Sequence, residues 1–253
     1  MATKNKTNEA PAKSTSKLIN TATDNKVPFS VVEAYKNLRV HLISLLSDNN
    51  DKVIAVTSPN ASEGKSTTAI NIAISLSQLS KKVLLIDTDA KRASVHKKLN
   101  IENGLGCLDI VSGNAEYKDV IKNYNPNLDV ITSGTAFNNS SELFSSGTFE
   151  RLITEVRNDY DYIIVDTPPV NLVSDTLVVA QLCDSVLFVV RADVTTYEAF
   201  KNAFASTERL NIKTLGVILN GVGTGSEKYY KYKKYNYYGY YGYYGYGRSR
   251  SKR

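Results

Sequence analysis

Two hydrophobic periods alternate along this chain. Short, unbroken apolar runs rich in β-branched residues occur at Val53–Val56, Val83–Ile86, Tyr162–Val165, Ser185–Val190 and Leu215–Leu219, with a shorter one at Leu128–Ile131. Runs of about four to eight residues without polar alternation predict strands covered on both faces. Between them, apolar residues return at helical spacing. Val31, Ala34, Leu38, Leu42 and Leu45 do so within 30–47, and Ala69, Ile70, Ala73, Ile74 and Leu76 within 67–80. Further helices are predicted over 117–124, 147–158, 174–182 and 196–210. Ser30, three residues before Glu33, predicts a capping box with Ser30 as N-cap. Strands alternating with helices predict an α/β fold, a mostly parallel sheet with helices on both faces.

One junction in this pattern carries chemistry. After the strand at 53–56 the chain passes through a small-residue loop and restarts as a helix at Gly64-Lys65-Ser66-Thr67. Strand, loop and helix in that order form the context of a phosphate-binding P-loop. The backbone N–H groups of Ser62, Glu63, Gly64, Lys65, Ser66 and Thr67 would converge on an anion at the helix N-terminus. Gly64 permits close approach, Lys65 reaches β- and γ-phosphate oxygens, and the Ser66 hydroxyl meets Mg²⁺. Pro59 stands where the motif has its first glycine. The plainer alternative is a turn that merely ends a strand.

Two more apolar strands end in acids: Val83–Ile86 in Asp87-Thr88-Asp89, and Tyr162–Val165 in Asp166-Thr167-Pro168-Pro169. In a parallel sheet the carboxyl ends of strands gather at one edge, where ligands bind. Asp87, Asp89 and Asp166 are therefore expected beside the P-loop, with Asp166 in the Walker B position toward Mg²⁺.

Charge changes the picture only at the C-terminus. The net charge is +6, but residues 226–253 hold eight Lys/Arg and one acid, which is +7, so the remainder is −1. A near-neutral body predicts no nucleic-acid partner, and any basic-surface effect belongs to the tail. That tail holds eleven of the seventeen tyrosines: Tyr229, Tyr230, Tyr232, Tyr235, Tyr237, Tyr238, Tyr240, Tyr241, Tyr243, Tyr244 and Tyr246. From Tyr237 it repeats Tyr-Tyr-Gly, a composition that builds neither a stable helix nor a buried strand. It could stack on RNA, extend inertly, or serve as a phosphoryl acceptor. Residues 1–28 are Lys/Thr/Asn/Ser/Ala-rich and predict an unpacked segment. The organisation is thus 1–28 unpacked, 29–225 a single P-loop domain, and 226–253 a flexible tail. No run approaches the ~18 apolar residues of a membrane span, and the N-terminus lacks an apolar signal region. Cys107 and Cys183 sit in apolar stretches as reduced core thiols, and His41 and His96 form no constellation.

The segments TSPNASEGKST, LLIDTDAKR and IIVDTPPV, with the terminal tyrosines, together resemble the bacterial tyrosine kinases. The narrower likeness is to the Gram-positive cytoplasmic kinases of capsular and exopolysaccharide synthesis. It spans about residues 28–222 and the tail. The resemblance implies a P-loop NTPase fold, ATP and Mg²⁺, and transfer of phosphate to tyrosine. Lys65, Asp87 and Asp89 would be the catalytic residues, and Ser66, Asp89 and Asp166 the metal site. Asp87 would accept the tyrosine proton, although Asp87 and Asp89 could exchange roles. The tail tyrosines would be autophosphorylated by a neighbouring subunit. Glu33-x-x-Lys36-x-x-Arg39 falls on the family's E-x-x-R-x-x-R oligomerisation motif, which otherwise reads as a solvated helix face. Lys36 replaces its first arginine, Lys91 stands where the second acidic motif has arginine, and Asn138-Asn-Ser-Ser-Glu-Leu143 lacks the family's proline. Implied partners are a ring-like homo-oligomer while unphosphorylated, a membrane adaptor of the polysaccharide co-polymerase type and a cognate tyrosine phosphatase. Such a chain would be cytoplasmic, held at the inner face of the membrane by the adaptor. The rival of the same fold is a partitioning or positioning ATPase, which carries a second P-loop lysine where this chain has Asn60. A non-enzymatic adaptor with a degenerate site is the third reading.

Overall fold

In a computed structural model of the chain, residues 27–135 and 140–223 are described. The N-terminal segment, the tail tyrosines and the Asn138-Asn139 end of the Asn-Ser-Ser-Glu-Leu stretch lie outside the described residues. The elements run α1 (Phe29–Asn49), β1 (Val53–Thr57), α2 (Lys65–Ser77), β2 (Val83–Asp87), α3 (Val95–Leu99), α4 (Cys107–Val111), α5 (Tyr117–Val120), β3 (Lys122–Asn125) and β4 (Leu128–Ile131). There follow α6 (Ser140–Phe144), α7 (Thr148–Val156), β5 (Tyr162–Asp166), α8 (Asp175–Gln181), β6 (Ser185–Arg191), α9 (Tyr197–Arg209) and β7 (Thr214–Asn220).

The strands form one sheet in the order β3-β4-β2-β5-β1-β6-β7. Every pairing is parallel except β3 with β4. The three strands that carry the expected P-loop and acids are therefore neighbours, β2-β5-β1. Their register sets Asp87 beside Asp166, and Asp166 beside Val56. β1 and β2 are buried at every position, which explains their unalternating composition.

On one face, α2 packs on the sheet and α1 packs over α2. Ile72 and Leu76 share a cluster with Leu42 and Leu46. Twelve of the thirteen residues of α2 are consequently buried, so the helix is covered on its outer side as well as its sheet side. On the other face, Phe144, Phe149, Leu152 and Val156 close over Ile86, Ile131 and Val165. Each such large side chain contributes roughly 1.5–3 kcal/mol of burial.

Local expectations needed correction in two places. Helix α1 is capped by the extended Pro28, whose carbonyl accepts the Val31 and Val32 amides. No side chain caps it, so the Ser30 capping box is absent. Glu33 instead pairs with Lys36. The buried stripe is also shifted: Leu42 and Leu46 are enclosed while Leu45 is exposed. The predicted helix 117–124 ends at Val120, because Lys122–Asn125 leaves it to form the antiparallel edge strand β3. The short helices α3, α4 and α6 have no separate signal in the periodicity. At the far end of the sheet, Asp184 fastens the start of β1. Its carboxylate accepts the Lys52 and Val53 amides at 2.7 and 2.8 Å, and two Arg157 guanidinium bonds at 3.0 and 2.7 Å.

Candidate active site

The chain leaves β1 through Ser58 and Pro59 and reaches α2 at Lys65. The left-handed turns this loop requires fall on Ser62 (φ 64°) and Gly64 (φ 101°), not on residue 59. A proline there imposes no conformational conflict, which accounts for the departure from the usual spelling. Gly64 is constrained twice, since a Cβ at this position would lie 2.1 Å from the Asn220 side-chain nitrogen.

The Glu63 side chain turns into the loop rather than toward the cleft. It accepts the Asn60 amide at 3.0 Å, the Asn60 side chain at 3.1 Å and the Thr195 hydroxyl at 2.7 Å. Arg191 donates to the Ser62 carbonyl, and Asn220 donates to that of Glu63 at 2.8 Å. The loops after β6 and β7 thus brace the P-loop from outside, leaving its inner amides to the anion.

Beside the loop lies a cleft of about 490 Å³. Of the residues expected at the nucleotide, Ser62, Gly64, Lys65, Ser66 and Thr67 line it, and so does Asp89. Lys65 Nζ donates to Asp89 Oδ2 at 2.8 Å and to Ser66 Oγ at 3.3 Å, and stands 3.9 Å from Asp166 Oδ1. Burial would lower its pKa, but Asp166, Asp89 and Asp87 outweigh burial and raise it. Lys65 remains a cation here.

The three acids differ in surroundings. Asp89 faces the cleft and is held by the Arg92 amide at 2.9 Å. Asp87 is fully buried, with its oxygens on the Asp89, Ser94 and Val95 amides. Burial and the adjacent Asp166 push its pKa up. Of the pair, Asp89 lines the cleft and Asp87 lies behind it. Asp166 is also fully buried, and neither of its oxygens has a hydrogen-bond partner among the described residues. Burial raises its pKa, and Lys65 opposes the rise.

An acceptor-only carboxylate without donors, next to a serine hydroxyl, suits a hard cation. Among the described residues, no group of three or more His, Cys, Asp or Glu side chains is arranged to hold a metal by itself. A Mg²⁺ ion on Ser66 and Asp166 would therefore complete its shell with phosphate and water, its usual habit. The DTD and DTPP loops are pinned to hold this edge: Thr88 binds the Asp166 carbonyl through both amide and hydroxyl, and Thr57 and Thr176 bind the Pro168 carbonyl.

Of the adjacent cations Lys91 and Arg92, Arg92 lines the cleft; several other lining residues were not anticipated: Ser94 and Lys98 on the β2 side, and Arg191, Asn220 and Gly221 on the β6–β7 side. Asn220 had one available signal, a polar residue closing an apolar strand at the ligand edge. Glu33, Lys36 and Arg39 lie away from the cleft. The first two form an exposed pair at 2.7 Å, whereas Arg39 reaches across to the Ser75 carbonyl of α2 at 2.9 Å. Both cysteines are free, and burial pushes their thiols up.

Comparison with known proteins agrees with this geometry. The AAA domain family matches residues 51–214. Tyrosine-protein kinase CpsD of Streptococcus agalactiae is 36% identical over 185 residues, 72% of this chain and 80% of that protein. Tyrosine-protein kinase YwqD of Bacillus subtilis is 34% identical over 190 residues, covering 75% and 80%. Among solved structures, the kinase domain of the Escherichia coli tyrosine kinase ETK superposes with a TM-score of 0.74 at 29% identity, covering 81% of this chain and 84% of that one. A braced P-loop, a buried lysine and three acids on adjacent strand ends, in a chain with these relatives, place it in the family of bacterial tyrosine-protein kinases.

Proposed function

We propose that this chain transfers the terminal phosphoryl group of ATP to tyrosines of its own C-terminal cluster, carried by a neighbouring copy, and that this controls capsule or exopolysaccharide synthesis. The observation that supports this most is Lys65, set between the P-loop amides and Asp89 and Asp166. Phosphoryl transfer needs positioning and charge neutralisation more than covalent catalysis, and these groups supply both. Lys65 and the amides of residues 62–67 hold the β- and γ-phosphates. Ser66, Asp166 and Asp89 would hold Mg²⁺, which when bound would supply neutralisation of phosphate charge. Asp89 orients the tyrosine hydroxyl and receives its proton late in a loose transition state. Asp87, buried on backbone amides, fixes the turn that presents Asp89.

Charge gives the tail a regulatory consequence. Each phosphotyrosine adds about −1.5 to −2, so about four cancel the +7 of residues 226–253. In this reading an unmodified tail enters a neighbour's active site and a modified one is expelled, so a ring-like assembly gives way to monomers. Glu33 and Lys36 join copies, a membrane adaptor of the co-polymerase type docks and stimulates at the inner membrane face, and a tyrosine phosphatase resets the tail. No helix among the described residues is long and apolar enough to cross a membrane.

The test is incubation with Mg·ATP, alone and with the cytoplasmic segment of a candidate adaptor, read by intact mass and peptide mapping. Successive phosphate additions within Tyr229–Tyr246, absent in Lys65→Met, are expected. Hydrolysis of ATP without phosphotyrosine would move the chain to the switching ATPases.

A further inference from the structure

The β2 side of the cleft carries a cation that the reading above leaves without a task. Lys98 lies on α3, the short helix that follows the acidic end of β2, and lines the cleft together with Lys65, Ser66 and Asp89. We infer that Lys98 is a second phosphate-binding cation, directed at the terminal phosphate of the nucleotide. The inference rests on the nucleotide reading given above and adds a residue and a position to it.

Three observations carry it. First, Lys98 is half-buried; its backbone amide donates to the Ser94 carbonyl, while its ammonium has no hydrogen bond or ion pair among the described residues. Its neighbour Lys97, by contrast, is exposed. A cation that lines the cleft with no acid paired to it leaves its charge available to an anion bound there. Second, Lys98 is held close to like charge. Burial lowers its pKa, Asp166 raises it and Lys65 lowers it again, so its ammonium is within electrostatic reach of both groups. Lys65 is already engaged by Asp89 at 2.8 Å. Four cations, Lys65, Arg92, Lys98 and Arg191, line the cleft against the single carboxylate of Asp89. That excess fits a polyanion such as a nucleotide.

Third, the strand order gives the cleft two ends. Arg191, Asn220 and Gly221 come from β6 and β7, on one side of the P-loop strand. Asp89, Asp166 and Lys98 come from β2, β5 and the turn after β2, on the other. The acids that would hold the metal and orient the hydroxyl share an end with Lys98. The phosphate bound there is the transferred one, and the nucleoside lies toward β6 and β7. On the P-loop itself, Asn60 is neutral and tied to Glu63, so the second cation comes from the helix after β2. Placed there, Lys98 stabilises charge on the terminal phosphate oxygens. It does not touch the α- or β-phosphate.

This predicts a difference between nucleotides. Equilibrium binding of fluorescent ATP and ADP analogues, each with Mg²⁺, would be measured on the full chain as wild type, Lys98→Met and Lys98→Arg, with thermal unfolding as the check on folding. A lost charge-assisted bond corresponds to about a tenfold change in affinity. Lys98→Met is expected to bind the ATP analogue about tenfold more weakly, with ADP binding changed by less than about twofold, and Lys98→Arg to restore most of the ATP preference. Equal loss for both nucleotides, or no loss for either, would overturn the inference. Wild-type protein that binds neither nucleotide would instead overturn the reading on which it rests.

Discussion

Replacing Gly64 with alanine tests the P-loop geometry at its tightest point. Gly64 sits at φ 101°, and a Cβ there would approach the Asn220 amide nitrogen to 2.1 Å. Two costs follow and can be separated. A non-glycine residue at positive φ costs about 1–2 kcal/mol. Relieving the overlap displaces Asn220 and breaks its 2.8 Å bond to the Glu63 carbonyl, at least about 1 kcal/mol. Gly64→Ala should therefore destabilise by about 2–4 kcal/mol, which for a domain of this size lowers the melting temperature by roughly 5–12 °C. Asn220→Ala alone loses only the bond, about 1 kcal/mol. In the double variant the overlap is gone and only the backbone strain and the same single bond remain. Urea unfolding of all four proteins closes the cycle, and the double variant should be no less stable than Gly64→Ala. Strict additivity would refute the claim that Asn220 is what Gly64 must avoid, leaving backbone strain as the whole effect.

Asp184→Asn should cost about 2–3 kcal/mol, because the carboxylate serves two backbone amides and a bidentate Arg157. Burial would raise the pKa of Asp184, but Arg157 and these amides outweigh it and hold it below the usual carboxylate range. A depressed folded-state pKa means the stabilisation is present above about pH 4 and lost as pH falls through the folded value; the gap between variant and wild type in urea unfolding should narrow only in acid. Lys36→Ala breaks an exposed pair and should leave the melting temperature unchanged. Arg39→Ala removes the bond to Ser75 and should lower the melting temperature even in monomeric protein. Sedimentation at matched stability then reads the contribution of α1 to self-association: a shift for Lys36→Ala toward monomer supports an intersubunit role, and no shift removes it.

The order of strands and helices was legible because buried parallel strands leave unbroken apolar runs, and the P-loop and acidic ends were legible because they interrupt those runs. What the periodicity missed has specific physical causes. The Ser30 box failed because Pro28, extended and unable to donate, already terminates the helix with its carbonyl. Helix α2 read as one-sided, yet α1 covers its outer face, an event 30 residues away in sequence that no local window contains. Residues 122–125 became an edge strand because β4 offered an open ladder, a tertiary effect. Lys98, Arg191 and Asn220 reach the cleft only because the sheet order brings the ends of β2, β6 and β7 around β1. Their identities in sequence resemble those of any surface residue.

The arrangement of the acids shows what that assembly achieves. Parallel pairing in register sets Asp87 directly beside Asp166, two carboxylates removed from water on adjacent strands. Burial raises the pKa of both, with like charge from Asp166 adding to the rise at Asp87 and that from Asp89 adding to the rise at Asp166. The chain offsets one member with three backbone amides and leaves the other with Lys65 at 3.9 Å and no donor. The inequality separates their functions. Asp87, satisfied by its own backbone, shapes the turn; Asp166, unsatisfied, remains available to a divalent cation. Asp89, two residues after Asp87, emerges into the cleft because the turn that Asp87 fixes points it there. Lys65, bonded to Asp89 at 2.8 Å and 3.9 Å from Asp166, is among the described residues the one cation that answers to both carboxylates at this edge, which is why its charge rather than its bulk is what a substitution there would remove.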